Sequence, residues 1–358
     1  MQKDPDPSTT AWLALDVGGA NLKAAHQSGD VATSPFEVWK RPEGLAAALA
    51  ELAGSLPEYG RVALTMTAEL CDCFRTKADG VRAVLEAVES AAGGRPVWTW
   101  GTDGRFHDVA SIRREPAAAA ASNWLALASV AAGIAGNRPG ILIDVGSTTT
   151  DLIPLDRGAV AARGRSDPER LRTGELVYAG VRRTPVCALA TELSPRGGEP
   201  IGLAAELFAT TLDVFLTTGD IPEDPGDLAT ADGRPATIDA ARDRLARMIG
   251  DDREGVAPAD ALALARAAEA CLLDRLARAA RRLCAATIGE PDVILVSGSG
   301  EFLARRVADA AFGHGPARIG LSESWGPAGS TAACACALLR LAAARDASAV
   351  TAGGGRRD

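Results

Sequence analysis

Two carboxylates flank a short polar turn in Asp144-Val145-Gly146-Ser147-Thr148-Thr149-Thr150-Asp151, with apolar runs on both sides. Glycine lets backbone N–H groups converge on an oxyanion, the hydroxyls add donors, and Asp144 and Asp151 supply oxygen ligands for a hard cation that would neutralise phosphate charge. An ordinary Thr-rich hairpin would use the same residues. The design occurs twice, however, because Trp12 to Val17 ends in Asp16-Val17-Gly18-Gly19-Ala20-Asn21-Leu22-Lys23: apolar strand, Asp-Val-Gly, small polar turn, strand. A third glycine turn, Ser297-Gly298-Ser299-Gly300-Glu301, follows the apolar run Val293 to Val296. It lacks the third glycine and the later acidic residue of a nicotinamide site, which excludes a Rossmann dehydrogenase and fits a phosphate- or nucleoside-side loop better.

Two further stretches carry chemistry. Glu69, Asp72, Arg75 and Lys77 crowd the connection after the apolar run Val62 to Met66, an unusual density of acids and bases for a plain link. Arg172-Thr173-Gly174-Glu175 lies in an arginine- and glycine-rich excursion from Arg157 to Arg183, readable as a substrate loop or as a solvated β-excursion.

The elements that must hold these residues alternate in type. Strands are expected over Trp12 to Val17, Asn21 to Gln27 and Glu37 to Lys40, then a helix opened by Pro42 and running through Gly44 to Leu56, a strand over Arg61 to Thr67, a helix over Ala78 to Ala92 and a strand over Pro96 to Trp100. An uncharged, alanine-rich helix from Pro116 to Asn137 closes the first half. The second half restarts with the Asp144 hairpin, which suggests a duplicated fold. Asp220 to Gly233 reads as a long loop, helices follow over Ile238 to Met248 and Pro258 to Thr287, and a last helix over Thr331 to Ala344. The expected organisation is a tail over 1–10, one domain over 11–136, a second over 137–346 with an inserted loop near 220–235, and a tail over 347–358.

Composition narrows the function. The chain has 358 residues, 47% of them hydrophobic, enough for two cores, and a formal net charge of −8 argues against a nucleic-acid binder, which needs basic surface to displace counterions. The N-terminal residues lack the apolar core of a signal peptide. Pro116 to Asn137 is long enough to span a bilayer, but its alanine content gives little hydrophobic drive, so it is read as a buried helix. Seven cysteines without a secretory signal indicate reduced thiols. Cys334 and Cys336 lie two apart on a helix and point about 200° apart, so both cannot face one metal. The expected location is the cytoplasm.

Three glycine loops in this order, two of them Asp-containing hairpins at equivalent places in successive halves, resemble the superfamily of actin, sugar kinases and chaperone ATPases. That resemblance implies an α/β fold of two actin-like, ribonuclease-H-like domains with a central cleft and mixed sheets flanked by helices. Within it, Asp144 to Asp151 is most similar to the hydantoinase A and oxoprolinase branch, although Ser147 stands where glycine is common and Ala20-Asn21-Leu22-Lys23 replaces the Thr-Phe-Thr-Asp typical of hydantoinases. The fuller set, with Thr67-Ala68-Glu69-Leu70, Asp72-Cys73-Phe74, Arg172 to Glu175 and Ser297 to Glu301, resembles the tetrahydromethanopterin-linked one-carbon transfer pathway proteins. These include archaeal enzymes that join a furan to a phenol in methanofuran assembly.

The implied reaction is a substitution in which an aminomethyl-furanmethyl diphosphate loses diphosphate to the phenolic oxygen of a γ-glutamylated tyramine or tyrosine. On that resemblance Asp16, Asp144 and Asp151 hold Mg²⁺ directly or through water, and are counted with Glu69 and Asp72 as catalytic. Gly18, Gly19, Asn21, Gly146, Ser147, Thr148, Thr149, Gly298, Ser299 and Gly300 surround diphosphate or nucleotide, and Lys23 adds a point charge or, by strand alternation, faces solvent. Glu69 or Asp72 is the phenol's base, and Arg75, Lys77, Arg172 and Glu175 bind substrate. Each of these has a plainer alternative as a surface ion pair or a helix cap. The partners expected are the two small molecules, with no nucleic acid and no membrane, and a homodimer is the candidate assembly. Two rivals stay open: an ATP-dependent kinase or oxoprolinase/hydantoinase-like hydrolase, and a non-catalytic nucleotide-binding assembly protein.

Overall fold

The structure is a computed structural model that describes residues 10–353. Residues 1–9 and 354–358, where tails are expected, lie outside the described residues. The fold is mixed α/β, with sheets flanked by helices, and the chain divides into two compact units. Within the described residues, unit 1 comprises residues 10–140, 155–170 and 321–353, and unit 2 comprises residues 141–154 and 171–320.

Unit 1 is built on a six-stranded sheet of order β3-β2-β1-β4-β5-β6, from β1 (Trp12–Val17), β2 (Asn21–His26), β3 (Val31–Pro35), β4 (Arg61–Met66), β5 (Val97–Trp100) and β6 (Phe106–Asp108). β2 and β3 run antiparallel to their neighbours, while β1, β4 and β5 are parallel. Every residue of β1 is buried, as a central strand covered on both faces requires. Leu13, Leu15 and Val17 point into one core with α1 (Leu45–Gly54) and α2 (Lys77–Ala92), and Val81, Val84, Leu85 and Val88 supply its helical face. Each such side chain contributes about 1.5–3 kcal/mol by leaving water. Trp12 and Ala14 alternate to the opposite face.

That face is covered by α4 (Asn123–Ala135), which follows the short α3 (Val109–Arg114), and by a C-terminal helix described below. The apolar stretch Pro116–Ala135 is long enough to cross a membrane by length and composition, yet 56% of its most apolar window is buried inside the protein. It is also not one helix. A 3-10 turn over Pro116–Ala118 is followed by Ala121 at φ 50°. Ser122 then donates to the Trp100 carbonyl at 2.9 Å, and α4 starts afresh.

Unit 2 repeats the scheme. Its sheet order is β10-β8-β7-β13-β14, from β7 (Gly140–Val145), β8 (Thr150–Asp156), β10 (Leu176–Val177), β13 (Val293–Ser297) and β14 (Ala317–Gly320); β9 (Ala159–Val160) pairs with the far end of β8. The β7–β8 hairpin thus occupies the place of β1–β2, and β13 and β14 the places of β4 and β5, so the duplication of fold expected from the two hairpins is present in the strand order. α5 (Asp167–Thr173) precedes β10, and a small β11–β12 hairpin (Glu192–Leu193, Ile201–Gly202) stands apart. The helices α6 (Thr211–Thr218), α7 (Ile238–Arg247), α8 (Pro258–Thr287) and α9 (Glu301–Phe312) supply the helical side of unit 2. Residues Asp220 to Gly233 form a loop fastened at Arg244, a fully buried guanidinium 2.7 Å from Asp213 and 3.0 Å from Asp232.

The chain ends with α10 (Leu321–Thr331), kinked at Gly326-Pro327, and α11 (Ala333–Gly353). α11 packs on β1, β2 and α4, so by its contacts it belongs with unit 1 rather than with the second half of the sequence. Residues 347–353, expected as tail, continue this helix. The third strand also differs from expectation: it is Val31–Pro35, because Gly29 at φ 101° closes a tight turn after β2, and 37–41 folds into turns through Glu37 O. The short elements β6, α3 and β14 have too few residues to show a period.

Candidate functional site

In unit 1 the chemistry gathers where β1 and β4 end. Asp16 is 3% exposed and lies opposite Lys23 on β2 and beside Thr65 on β4. Directly opposed residues share a face of the sheet, so alternation turns Lys23 toward Asp16, with Nζ 3.7 Å from Oδ2. The turn is tight: Gly18 N–H donates to Asn21 O at 3.1 Å. A Cβ on Gly18 would sit 2.8 Å from that carbonyl, and one on Gly19 would sit 2.8 Å from Cys71 Sγ. Thr67 N–H donates to Val17 O, so the loop after β1 and the loop after β4 adjoin.

That second loop begins with a 3-10 turn over Ala68–Leu70 that carries Glu69. Glu69 is 1% exposed, and neither carboxylate oxygen has a hydrogen bond of good geometry. Burial raises its pKa from 4.5 to about 7; the nearby Asp167 charge pushes the same way, while Lys77 and the N–H groups of Glu69 itself and Ala121 oppose. α2 locks the turn, since a Cβ on Gly80 would lie 2.2 Å from Glu69 O. Lys77 opens α2 after its N-cap, Thr76, and its Nζ is 3.7 Å from Asp167 Oδ2. Asp72 and Arg75 are exposed. Of the two carboxylates named as base, Glu69 is the buried one and Asp72 the exposed one.

In unit 2 the Gly146–Thr149 turn is gripped by backbone. Gly146 N–H donates to Thr149 O at 2.9 Å, Val181 N–H to Gly146 O at 3.0 Å, and both Arg182 and Arg183 N–H to Ser147 O at 3.0 Å. Gly180 lies so close that a Cβ there would be 2.5 Å from Gly146 O and 2.6 Å from Thr148 N. From the other side Gly300 N–H donates to Val145 O at 2.8 Å. Gly298, at φ 95°, would bring a Cβ to 2.2 Å from the same carbonyl. Asp144 is half-buried, and the fully buried Ser297 donates to its Oδ1 at 2.5 Å. Asp151 lies opposite Leu176, Glu175 is buried beside it with its carbonyl accepting from Leu152, and Ser147 and Thr148 hydroxyls are 3.5 Å apart. Arg172 and Ser299 are exposed.

Four contributors escaped sequence reasoning. Gly180 is an isolated glycine between Ala and Val, with no turn signature. Ser297 was legible as part of a loop but not as a partner for Asp144, 153 residues away. Asp167 sits among surface-type charges, and the strained backbone at Ala121 has no signature in residue type. Among the described residues no three His, Cys, Asp or Glu side chains form a metal-ligand cluster.

Two α/β units of like strand order, each with an Asp-bearing glycine hairpin, define an actin-like fold of the ATPase and sugar-kinase type. The hydantoinase/oxoprolinase family model matches residues 61–344, and the chain belongs to that family. It is 34% identical over 247 residues to (4-{4-[2-(gamma-L-glutamylamino)ethyl]phenoxymethyl}furan-2-yl)methanamine synthase of Methanocaldococcus jannaschii, a match that covers 68% of this chain and 73% of that enzyme. The enzyme of the same name from Methanococcus vannielii is 42% identical over 74 residues, 21% of this chain and 32% of the relative. Among solved structures, nucleotide-free acetone carboxylase superposes with a TM-score of 0.59 at 12% identity, over 92% of this chain and 70% of its own.

Proposed function

We propose that the protein is a transferase that forms an aryl ether: the phenolic oxygen of a γ-glutamyl-tyramine or -tyrosine displaces diphosphate from an aminomethyl-furanmethyl diphosphate. The observation that carries this reading is the 34% identity to the furan–phenoxy methanamine synthase across 73% of that enzyme's length. The site supports it in kind. One C–O bond, to diphosphate, breaks, one C–O bond, to the aryl oxygen, forms, and the phenol's proton must go to a base.

Glu69 is that base. With a pKa of about 7 it is half ionised at neutral pH and mostly ionised above it, yet holds a proton far better than an exposed carboxylate. A free phenol has a pKa of about 10, so transfer becomes favourable only as negative charge leaves the oxygen during bond formation. The Gly18–Gly19 turn, next to the Glu69 loop, offers backbone donors to departing charge, and Lys23 beside Asp16 adds a cation. In unit 2 the Gly146–Thr149 turn is a rigid cradle of the same kind.

Asp144 and Asp151 present hard oxygen donors suited to Mg²⁺, which keeps several waters and needs only one or two carboxylates with phosphate, so a three-carboxylate cluster is not required. Ser297 aims Asp144 by holding one of its oxygens. Bound there, Mg²⁺ would neutralise phosphate charge at that turn. A cytoplasmic enzyme acting on two small molecules, without nucleic acid or membrane, and a homodimer complete the proposal.

The test is incubation of the protein with Mg²⁺, the aminomethyl-furanmethyl diphosphate and γ-glutamyl-tyramine, read by mass spectrometry. The ether and one equivalent of diphosphate are expected. Folded protein that gives no ether, or that binds ATP–Mg²⁺ tightly and releases phosphate, would overturn the reading in favour of the ATP-dependent rival.

A further inference from the structure

The excursion that follows β9 stays within unit 1 as far as Arg170 and reaches Asp167, the first residue of α5, on the way. Its position is fixed from several sides. Arg170, three residues on, is 2% exposed, with its guanidinium stacked 4.1 Å from the Trp124 ring of α4. Gly164 presses on the Arg170 backbone so closely that a Cβ would lie 2.7 Å from Arg170 N. Such anchoring is more than a solvated surface carboxylate needs. Asp167 is mostly buried, its side chain 15% exposed, and one of its partners is Lys77 of α2, the helix that also clamps the Glu69 turn through Gly80.

We propose that Asp167, held by Lys77, is a positioning residue for Glu69: the ion pair at the start of the helix that clamps the Glu69 turn decides when that carboxylate gives up its proton. The inference rests on the reading of Glu69 as the phenol's base. Three elements converge here, the 3-10 turn with Glu69, α2 with Lys77 and α5 with Asp167. The segment before α4 adds the N–H of Ala121 and no charge. Among the charged groups that act on Glu69, Asp167 favours its protonated form and Lys77 its ionised form.

The two members of one ion pair must then have opposite effects on one titration, a signature that loss of structure does not produce. Full-length protein labelled with ¹³C at glutamate carboxyls would be titrated by NMR, with the Glu69 resonance assigned by its loss in E69Q. In D167N the midpoint should fall by about half a unit or more, in K77M it should rise by a similar amount, and D167E should restore the wild-type value. The pH–rate profiles of ether formation should shift with the resonances. Glu69 midpoints that stay in place in both D167N and K77M would overturn the inference. Midpoints that move while the rate profiles do not would instead overturn the assignment of Glu69 as the base.

Discussion

The two hairpins share a place in the strand order, yet they are built from different materials. Around Asp16 the neighbours are side chains that ionise or turn: Lys23 at 3.7 Å, Cys71 against Gly19, and Glu69 with its pKa raised to about 7 on the adjoining loop. Around Asp144 the neighbours are mostly main chain, with four N–H groups from residues 181–183 and 300 fastening the 145–147 carbonyls and with Gly180 and Gly298 packed below normal Cβ distance. A duplicated fold has thus been specialised in two directions. Unit 1 holds groups that can exchange a proton, and unit 2 holds a turn that cannot easily move.

The largest expected break is at the titrating side. E69Q should lower ether formation about 100- to 10,000-fold. It should also make the protein more stable at high pH. A carboxyl whose folded pKa is raised contributes stability that is complete below its unfolded value of 4.5 and is lost as pH rises through about 7. Removing the ionisation should therefore leave the variant about 3 kcal/mol more stable than wild type at pH 8, and little changed near pH 4.5, in urea unfolding. Equal pH dependence in the two proteins would mean that the carboxylate is not desolvated in the folded state.

The rigid side should break through backbone rather than charge. G180A forces a methyl group into the Gly146–Thr148 main chain, which cannot rotate away, and a displaced turn should cost about 100-fold in kcat/KM with the pH profile unchanged in midpoint. S297A removes one charge-assisted hydrogen bond to Asp144 and should cost about tenfold, most visibly as a higher Mg²⁺ requirement. D72N is the control on the titrating side. Exposed and without the burial of Glu69, Asp72 should matter by no more than about twofold.

How far these contrasts were legible in the sequence follows from the range of the interactions. The strand, Asp-Val-Gly and turn pattern is local, so both hairpins, the duplication and the 30-residue helix Pro258–Thr287 could be read directly. Glu69 and Asp72 are three residues apart in one polar run, and nothing local distinguishes them. The difference lies in α2 and the Ala121 segment closing over one and not the other. Gly180 and Ser297 act through contacts with residues more than thirty positions distant, which no spacing rule encodes. The alanine run Pro116 to Asn137 predicts a single helix by propensity, but the buried hydrogen bonds of Ser122 to Trp100 O and Thr65 break it. The same break brings the Ala121 N–H toward Glu69.

The most direct test of the account is the pH dependence of ether formation under saturating Mg²⁺ and substrates. A single ionisation should appear, with the rate rising with pH through a midpoint near 7, the value set for Glu69 by its burial. A rate independent of pH from about 5.5 to 8.5, or one that rises only near the phenol's own pKa of about 10, would contradict it.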